Sequence, residues 1–321
     1  MITLSNVNKS FTVYKKAKST LFKRERTTIH ALKDITLEIG KGEIIGYIGP
    51  NGAGKSTTIK IMGGILTPDS GTCTILGRVP HRERKEHVRH IGVVFGQRSS
   101  LWWDVPVIDS YELIRDIYGI DENRFRHNVG YLGEILGFSE LLRTPVRQLS
   151  LGQRIRCEIA ASLLHDPEIL FLDEPTIGLD AVSKLAVRKF IKDINAEKQA
   201  TVILTTHDMN DIDALATRVM LIGNGELTYD GTFEDIKQKY NGNRVMTIRF
   251  EPALDALPLR LMSANVLSQN ENAATISFDP AVARVPQIIS EISNSRTLLD
   301  FSVAEPPIEE IMAFVYKEMR L

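Results

Sequence analysis

Residues Gly49-Pro50-Asn51-Gly52-Ala53-Gly54-Lys55-Ser56-Thr57 place two glycines five positions apart, followed by Lys and Ser/Thr. That pattern suits the binding of phosphate. Backbone N–H groups at such a turn point the same way, and the helix that follows adds the positive end of its dipole. Gly52 and Gly54 let the backbone approach an anion with no Cβ in the way. Lys55 is placed to reach outer phosphates, and the Ser56 hydroxyl to ligate Mg2+. A second candidate pair is Asp173-Glu174, directly after the apolar run Ile169-Leu170-Phe171-Leu172. Carboxylates there stand at the C-terminal edge of a sheet, where open α/β folds bind ligands. Asp173 fits as an acceptor for water in the Mg2+ shell. Glu174 fits as a general base that polarises an attacking water. Two carboxylates beside a triphosphate need a metal's charge, so Mg2+ is implied.

Two further features admit two readings each. His207 closes the strand-like run Val202–Thr206. It is either a structural hydrogen-bonding group or a donor to a terminal phosphate. Leu149-Ser150-Leu151-Gly152-Gln153 precedes a helical stretch, so Ser150 and the N–H groups near Gly152 form either an ordinary cap or a second anion-binding helix start. One nucleotide can use both helix starts only if two copies of the protein face each other.

The elements that must position these residues follow from periodicity. Residues 43–48 read as a buried strand and 56–66 as a helix with Ile59, Met62, Ile65 and Leu66 on one face. Ile91–Phe95, Ile169–Leu172 and Val202–Thr206 read as buried strands, with helices between and after them. Strand and helix units alternating around a phosphate loop predict an α/β core with a mostly parallel sheet. Residues 105–143 carry helical periodicity through Ile114, Ile117, Tyr118, Val129, Leu132, Ile135 and Leu136, which predicts a helical insertion. Ile2–Val7 alternates as a strand. A basic segment between Tyr14 and His30, with Lys15, Lys16, Lys18, Lys23, Arg24 and Arg26, interrupts a hairpin that resumes at Ala31. It is a solvated loop or a contact for anionic headgroups or a membrane partner. Composition changes near Asn241-Gly242-Asn243. Strands at 245–250, 274–278 and 298–303, with helices at 286–292 and 308–316, predict a small α+β domain over 244–321.

Bulk numbers narrow the class. The chain has 321 residues, 43% hydrophobic and 25% charged, as an ordinary globular protein has. The net charge of -1 gives no basic field for nucleic acid. Cys73 and Cys157 form no CxxC pair, so no zinc or disulfide framework is expected and a reducing compartment fits. No apolar run approaches a membrane span, and Met1-Ile2-Thr3-Leu4-Ser5 does not read as a signal peptide. Action at a membrane would go through a partner.

Gly49–Thr57, Gln97, Leu149–Gln153, Leu172–Pro175, Gly178-Leu179-Asp180 and His207 occur in the order found in ATP-binding-cassette (ABC) ATPases. They resemble the Walker A loop, Q-loop, signature, Walker B motif, D-loop and switch histidine of that family over about residues 2–238. The resemblance implies a P-loop NTPase fold with an antiparallel β-subdomain and a helical subdomain at about 98–165. It also implies ATP with Mg2+, hydrolysis to ADP and phosphate, and a head-to-tail dimer of two such subunits, identical or not. Each ATP would lie between one subunit's Gly49, Asn51–Thr57 and the other's Ser150, Gly152 and Gln153, with Asp180 nearby. Gln97 and His207 join Glu174 in the catalytic set, and Gln97 joins Ser56 and Asp173 around the metal. Phe11 matches the family's adenine-stacking aromatic by position, with Tyr14 the alternative. The signature departs from the family where Leu151 replaces a glycine.

Gly46–Gly49, the run from Val94 to Asp104 and Arg147–Ser150 are similar to ATPase subunits of bacterial multidrug-type exporters, close to a group linked to viologen export. Those subunits serve separate transmembrane permease chains at the cytoplasmic face of the membrane. Importer ATPases and soluble ABC ATPases acting on nucleic acid or the ribosome are the alternatives. Against the latter stand a single cassette, no sustained heptads and two cysteines. Trp102-Trp103 follow the Q-loop, where the family docks its permease, and one of the two is expected to pack inside while the other faces that partner. The C-terminal domain either senses a ligand or extends the dimer interface.

Overall fold

The computed structural model describes residues 1–16, 24–95, 99–240, 244–251, 261–262, 264–280, 282–294, 296–304 and 308–319. Gln97, Lys18, Lys23 and the side chain of Tyr14 lie outside the described residues. The chain divides into two compact units, residues 1–233 and 234–320, at a point ahead of the composition change near Asn241.

The first unit runs β1 (Ile2–Lys16), β2 (Arg24–Ile39), β3 (Ile44–Ile48), α1 (Lys55–Met62), β4 (Ser70–Ile75), α2 (Arg84–His87) and β5 (Ile91–Phe95). It continues with α3 (Val107–Tyr118), α4 (Glu122–Leu136), α5 (Leu151–Leu163), β6 (Ile169–Asp173), α6 (Ala181–Lys198), β7 (Thr201–Thr205), α7 (Met209–Leu215), β8 (Arg218–Gly223) and β9 (Glu226–Gly231). α8 (Phe233–Tyr240) follows. Six strands form one sheet in the order β5-β6-β7-β3-β8-β9, parallel except for β9. β3 and β7 are buried at every residue, and β6 at all but its last, because a parallel strand covered on both faces must be apolar throughout. The strand ends that matter are neighbours. β6, β7 and β3 adjoin, so the residues after Asp173, Thr205 and Ile48 leave the sheet side by side.

β2-β1-β4 make a second, antiparallel sheet. Ile2, Leu4, Leu37, Ile39 and Ile75 from it meet Ile45, Tyr47 and Met220 of the parallel sheet and Ile59 and Met62 of α1 in one core. The expected interruption of the hairpin is shorter than the composition suggested. Pairing runs from Ile2↔Ile39 out to Lys16↔Arg24. Backbone pairing thus continues through positions of basic residues, with Lys15 opposite Glu25 in the register.

α1 is also shorter than the periodicity predicted. Gly63-Gly64 end it, with Gly64 in the left-handed region (φ 69°), and Ile65 is left exposed rather than on the buried face. In α3, Val107 and Tyr111 turn inward, and Ile117 is 68% exposed instead of core. Tyr111 sets that rotation. Its ring meets Phe138 edge-on at 5.9 Å, and its hydroxyl donates to the Cys157 carbonyl at 2.9 Å. In α4, Val129, Leu132 and Leu136 are buried as expected, and Asp121 caps the helix through Asn123 N and Arg124 N.

The second unit holds β10 (Arg244–Phe250), β11 (Asn265–Gln269), β12 (Ala273–Phe278), α9 (Val285–Ser293), β13 (Leu298–Ala304) and α10 (Ile308–Glu318). Its strands lie in the antiparallel order β11-β12-β10-β13. Met246, Ile248, Phe250, Ala274, Ile276 and Phe278 form the inner face against Ile288 and Ile292 of α9. β11 has no counterpart in the sequence reading, because its mostly exposed Asn-Val-Leu-Ser-Gln shows no inward alternation. Among the described residues, no helix is long and apolar enough to cross a membrane.

Candidate active site

The loop between β3 and α1 wraps one end of a cleft of about 520 Å3. Asn51, Gly52, Gly54, Lys55, Ser56 and Thr57 line it on that side, and Asp173, Glu174 and His207 on the other. Two glycines are fixed by their surroundings. A Cβ on Gly49 would lie 2.0 Å from the Ile222 carbonyl oxygen. Gly54, at φ 116°, would meet the Ala31 carbonyl at 2.6 Å. Ala53 is buried and does not line the cleft, and its carbonyl accepts from Gly225 N at 3.0 Å.

Lys55 is 8% exposed and folds back on its own loop, donating to the carbonyls of Gly49 (2.5 Å) and Pro50 (3.0 Å). Burial lowers its pKa, opposed by the negative charges of Glu174 and Asp173. Asp173 ends β6 and accepts from the Thr205 hydroxyl on β7 at 2.5 Å. Glu174 then leaves the strand with φ 57°, a left-handed conformation that costs a non-glycine residue about 1–3 kcal/mol. Its N–H reaches the Thr205 carbonyl at 2.9 Å, and its carboxylate Oε1 lies 3.1 Å from His207 Nε2. Burial first, and Asp173 second, push the Glu174 carboxyl up to about 7. This is a group suited to accept a proton near neutral pH.

The donor set also fits a divalent cation. The exposed Ser56 hydroxyl and the Asp173 carboxylate face one cleft, and among the described residues no group of three or more His, Cys, Asp or Glu gathers as a metal cluster. Few protein oxygens, with the rest from phosphate and water, is the usual environment of Mg2+.

The remaining predicted residues stand elsewhere. Ser150 caps α5 in a reciprocal box, accepting from Gln153 N at 3.2 Å while Gln153 Oε1 accepts from Ser150 N at 2.8 Å. A Cβ on Gly152 would touch Ser183 Oγ at 2.8 Å, so this glycine packs on the start of α6. Leu151 lies over Gly178, where a Cβ would meet its Cδ2 at 2.7 Å, so a glycine at 178 makes room for the unusual leucine. Asp180 caps α6, accepting from Ser183 N (2.8 Å) and Ser183 Oγ (3.0 Å), and these bonds lower its pKa. None of Ser150, Gly152, Gln153, Asp180 or Phe11 lines the cleft. Phe11 pairs with Ile29 on the outer hairpin, and both are exposed. Sequence reasoning missed Ala31, Lys60, Ile65, Phe95 and Ile177 as cleft residues. Phe95, at the last position of a strand read as buried, was the one with a usable signal. Trp102 and Trp103 correct an expectation. Neither packs inside, being 60% and 51% exposed.

A phosphate loop, a strand-end carboxylate pair and a histidine on adjacent parallel strands define a P-loop nucleotide hydrolase. A model of the ABC transporter family matches residues 32–177. The chain is 32% identical over 215 residues to the ABC transporter ATP-binding protein NatA of Bacillus subtilis, spanning 67% of this chain and 87% of that protein. It is 29% identical over 286 residues to the linearmycin resistance ATP-binding protein LnrL of Bacillus subtilis, covering 87% and 91%. It is 34% identical over 240 residues to the methionine import ATP-binding protein MetN of Vibrio vulnificus, covering 74% and 66%. Among solved structures, a dimeric ATP-binding cassette in a post-hydrolysis state with ADP and Pi superposes with TM-score 0.62 at 27% identity, over 72% of this chain and 98% of that one. The chain belongs to the ABC transporter ATPases, as the ATP-hydrolysing subunit of a transporter.

Proposed function

We propose that this subunit drives export, hydrolysing ATP with the cleft residues and passing the resulting movement to separate transmembrane permease chains. The observation that carries the ATPase roles is the Glu174–His207 pair, 3.1 Å apart opposite Lys55. Lys55 exchanges its loop carbonyls for the outer phosphates. Loop N–H groups from Asn51 to Thr57 hold the phosphate chain. Glu174 orients the attacking water and accepts its proton as the bond to the leaving ADP breaks. His207 steadies that carboxylate and donates toward the terminal phosphate. Ser56 and Asp173, with Gln97, would hold Mg2+, whose charge offsets that of the phosphates when bound. Phe11 stacks on adenine. Ser150, Gly152, Gln153 and Asp180 serve the ATP of a second subunit, so closure and reopening of the dimer follow the nucleotide. Ser150 and Gly152 do not line this chain's own cleft, so this role for them calls for a second copy.

Export is favoured over import by the extent of likeness. The resistance protein LnrL aligns over 87% of this chain and 91% of its own length, whereas the match to MetN covers 74% and 66%. The test is to tag the chain in its native cell, solubilise the membranes gently and identify what co-purifies. A stoichiometric polytopic membrane protein supports the reading, and inside-out vesicles carrying it should then accumulate cargo on adding ATP. ATP-driven efflux from such vesicles would mean import. Recovery only from the soluble fraction with ribosomes would reject transport for this chain.

A further inference from the structure

Glu158 is a buried carboxylate, 7% exposed, two turns into α5, and the chemistry above does not use it. A charge in that position must be satisfied locally. Its partners are all in one loop. Oε1 accepts from the Ser99 hydroxyl, and Oε2 accepts from the Ser100 hydroxyl (2.5 Å) and the Ser100 N–H (3.0 Å). Leu101 follows them and is 4% exposed. One turn earlier on α5, Arg154 stands over the Trp103 ring at 5.6 Å. The ends of the loop are tied as well. Trp102 N donates to Ser110 Oγ at 3.0 Å, and Arg147 N donates to the Trp103 carbonyl at 3.0 Å.

We propose that Glu158 is a positioning residue that locks the loop bearing Trp102 and Trp103 to α5, so that the exposed tryptophan pair moves with that helix when ATP engages its start. This rests on the reading that Ser150 and Gly152 contact nucleotide. The physical reason is that residues 99 and 100 offer three hydrogen-bond donors to one carboxylate, and charge-assisted bonds hold geometry more firmly than neutral ones. Arg154 and Glu158 lie four residues apart on one face of α5, so the same face grips the loop through both side chains. A movement of α5 thus reaches the outer surface without passing through the cleft residues.

The chain's two tryptophans are Trp102 and Trp103, so intrinsic emission reports on this loop alone. The experiment uses the full chain carrying Glu174→Gln to slow turnover, and follows tryptophan emission as MgATP is added. The expected result is an ATP-dependent emission change that Glu158→Ala abolishes. Binding of a fluorescent ATP analogue stays unchanged, because the cleft is untouched. Glu158→Gln retains part of the change, since its carbonyl oxygen still accepts from a serine hydroxyl. The double substitution Ser99→Ala/Ser100→Ala reproduces Glu158→Ala, and adding it to Glu158→Ala has no further effect. That double variant serves equally if Glu158→Ala fails to fold. An undiminished emission change in Glu158→Ala or in the double variant overturns the proposal. So does the lack of any change in a parent chain that binds the analogue. Failure of the underlying reading looks different. Then Ser150→Ala, in the chain with Glu174 intact, hydrolyses ATP at the normal rate. A failed lock instead leaves hydrolysis sensitive to Ser150 while emission ignores Glu158.

Discussion

Glu174 directly follows the buried strand that ends at Asp173 and faces His207, and each of these surroundings acts on its proton. Glu174→Gln keeps the shape and removes the base, so turnover should fall by roughly 10^2–10^4 while ATP still binds. Single-turnover hydrolysis beside a nucleotide-binding assay decides it, and a normal rate would refute the role. The same carboxyl makes stability depend on pH. Its folded pKa is raised from 4.5 to about 7 by burial and by Asp173. The folded state therefore holds the proton more tightly, and stability falls as pH rises through this interval. In the nucleotide-free chain, Glu174→Gln should raise the melting temperature at pH 8, with the gain shrinking toward pH 5. Calorimetry at the two pH values checks this. Lys55→Ala removes the ammonium that opposes the Asp173–Glu174 charges, and should abolish ATP binding or hydrolysis. Retained activity would overturn the assignment of the loop.

At the scale of elements, the strands that carry chemistry were the most legible. Ile169–Leu172 is a continuous apolar run that admits little but a central strand, and β6 is that strand. Ser150 was legible as the cap of α5, and the structure adds the reciprocal bond to Gln153. What the pattern hid has physical causes. The hairpin extends through basic residues as its backbone pairing continues there, with Lys15 opposite Glu25, and β11 is polar because one edge of its sheet faces water. α3 turns by way of Tyr111, whose partners Phe138 and Cys157 are distant in sequence. The cleft was legible on its phosphate side and not at Ala31, a small residue in a strand distant in sequence from the other cleft residues. The loop between β3 and α1 carries its own prediction. Gly49→Ala sets a methyl against the Ile222 carbonyl and should cost about 1–3 kcal/mol, as overpacking does. Chemical denaturation measures it, and an unchanged midpoint would show that β8 yields.

For the whole molecule, the exposed Trp102–Trp103 pair is the surface on which coupling to a permease is most open to test. The backbone at the two positions is tied to Ser110 and Arg147, Arg154 stands over the Trp103 ring, and neither ring is buried. Trp103→Ala should therefore leave the fold and the ATPase of the isolated chain intact while reducing permease recovered in the pull-down. Undiminished recovery would sink the docking role. The C-terminal unit has a core of its own, built from β10, β12 and α9.

The left-handed backbone at Glu174 has one more consequence. Glycine would adopt φ 57° there without strain, and with no carboxyl to bury it would also escape the cost of ionising in a half-dry site. Mutational drift filtered only for folding would drain this position toward glycine, and the inactive chains it produced would be the sturdier ones. On the role proposed above, glutamate at this position sets catalytic use against thermodynamic durability.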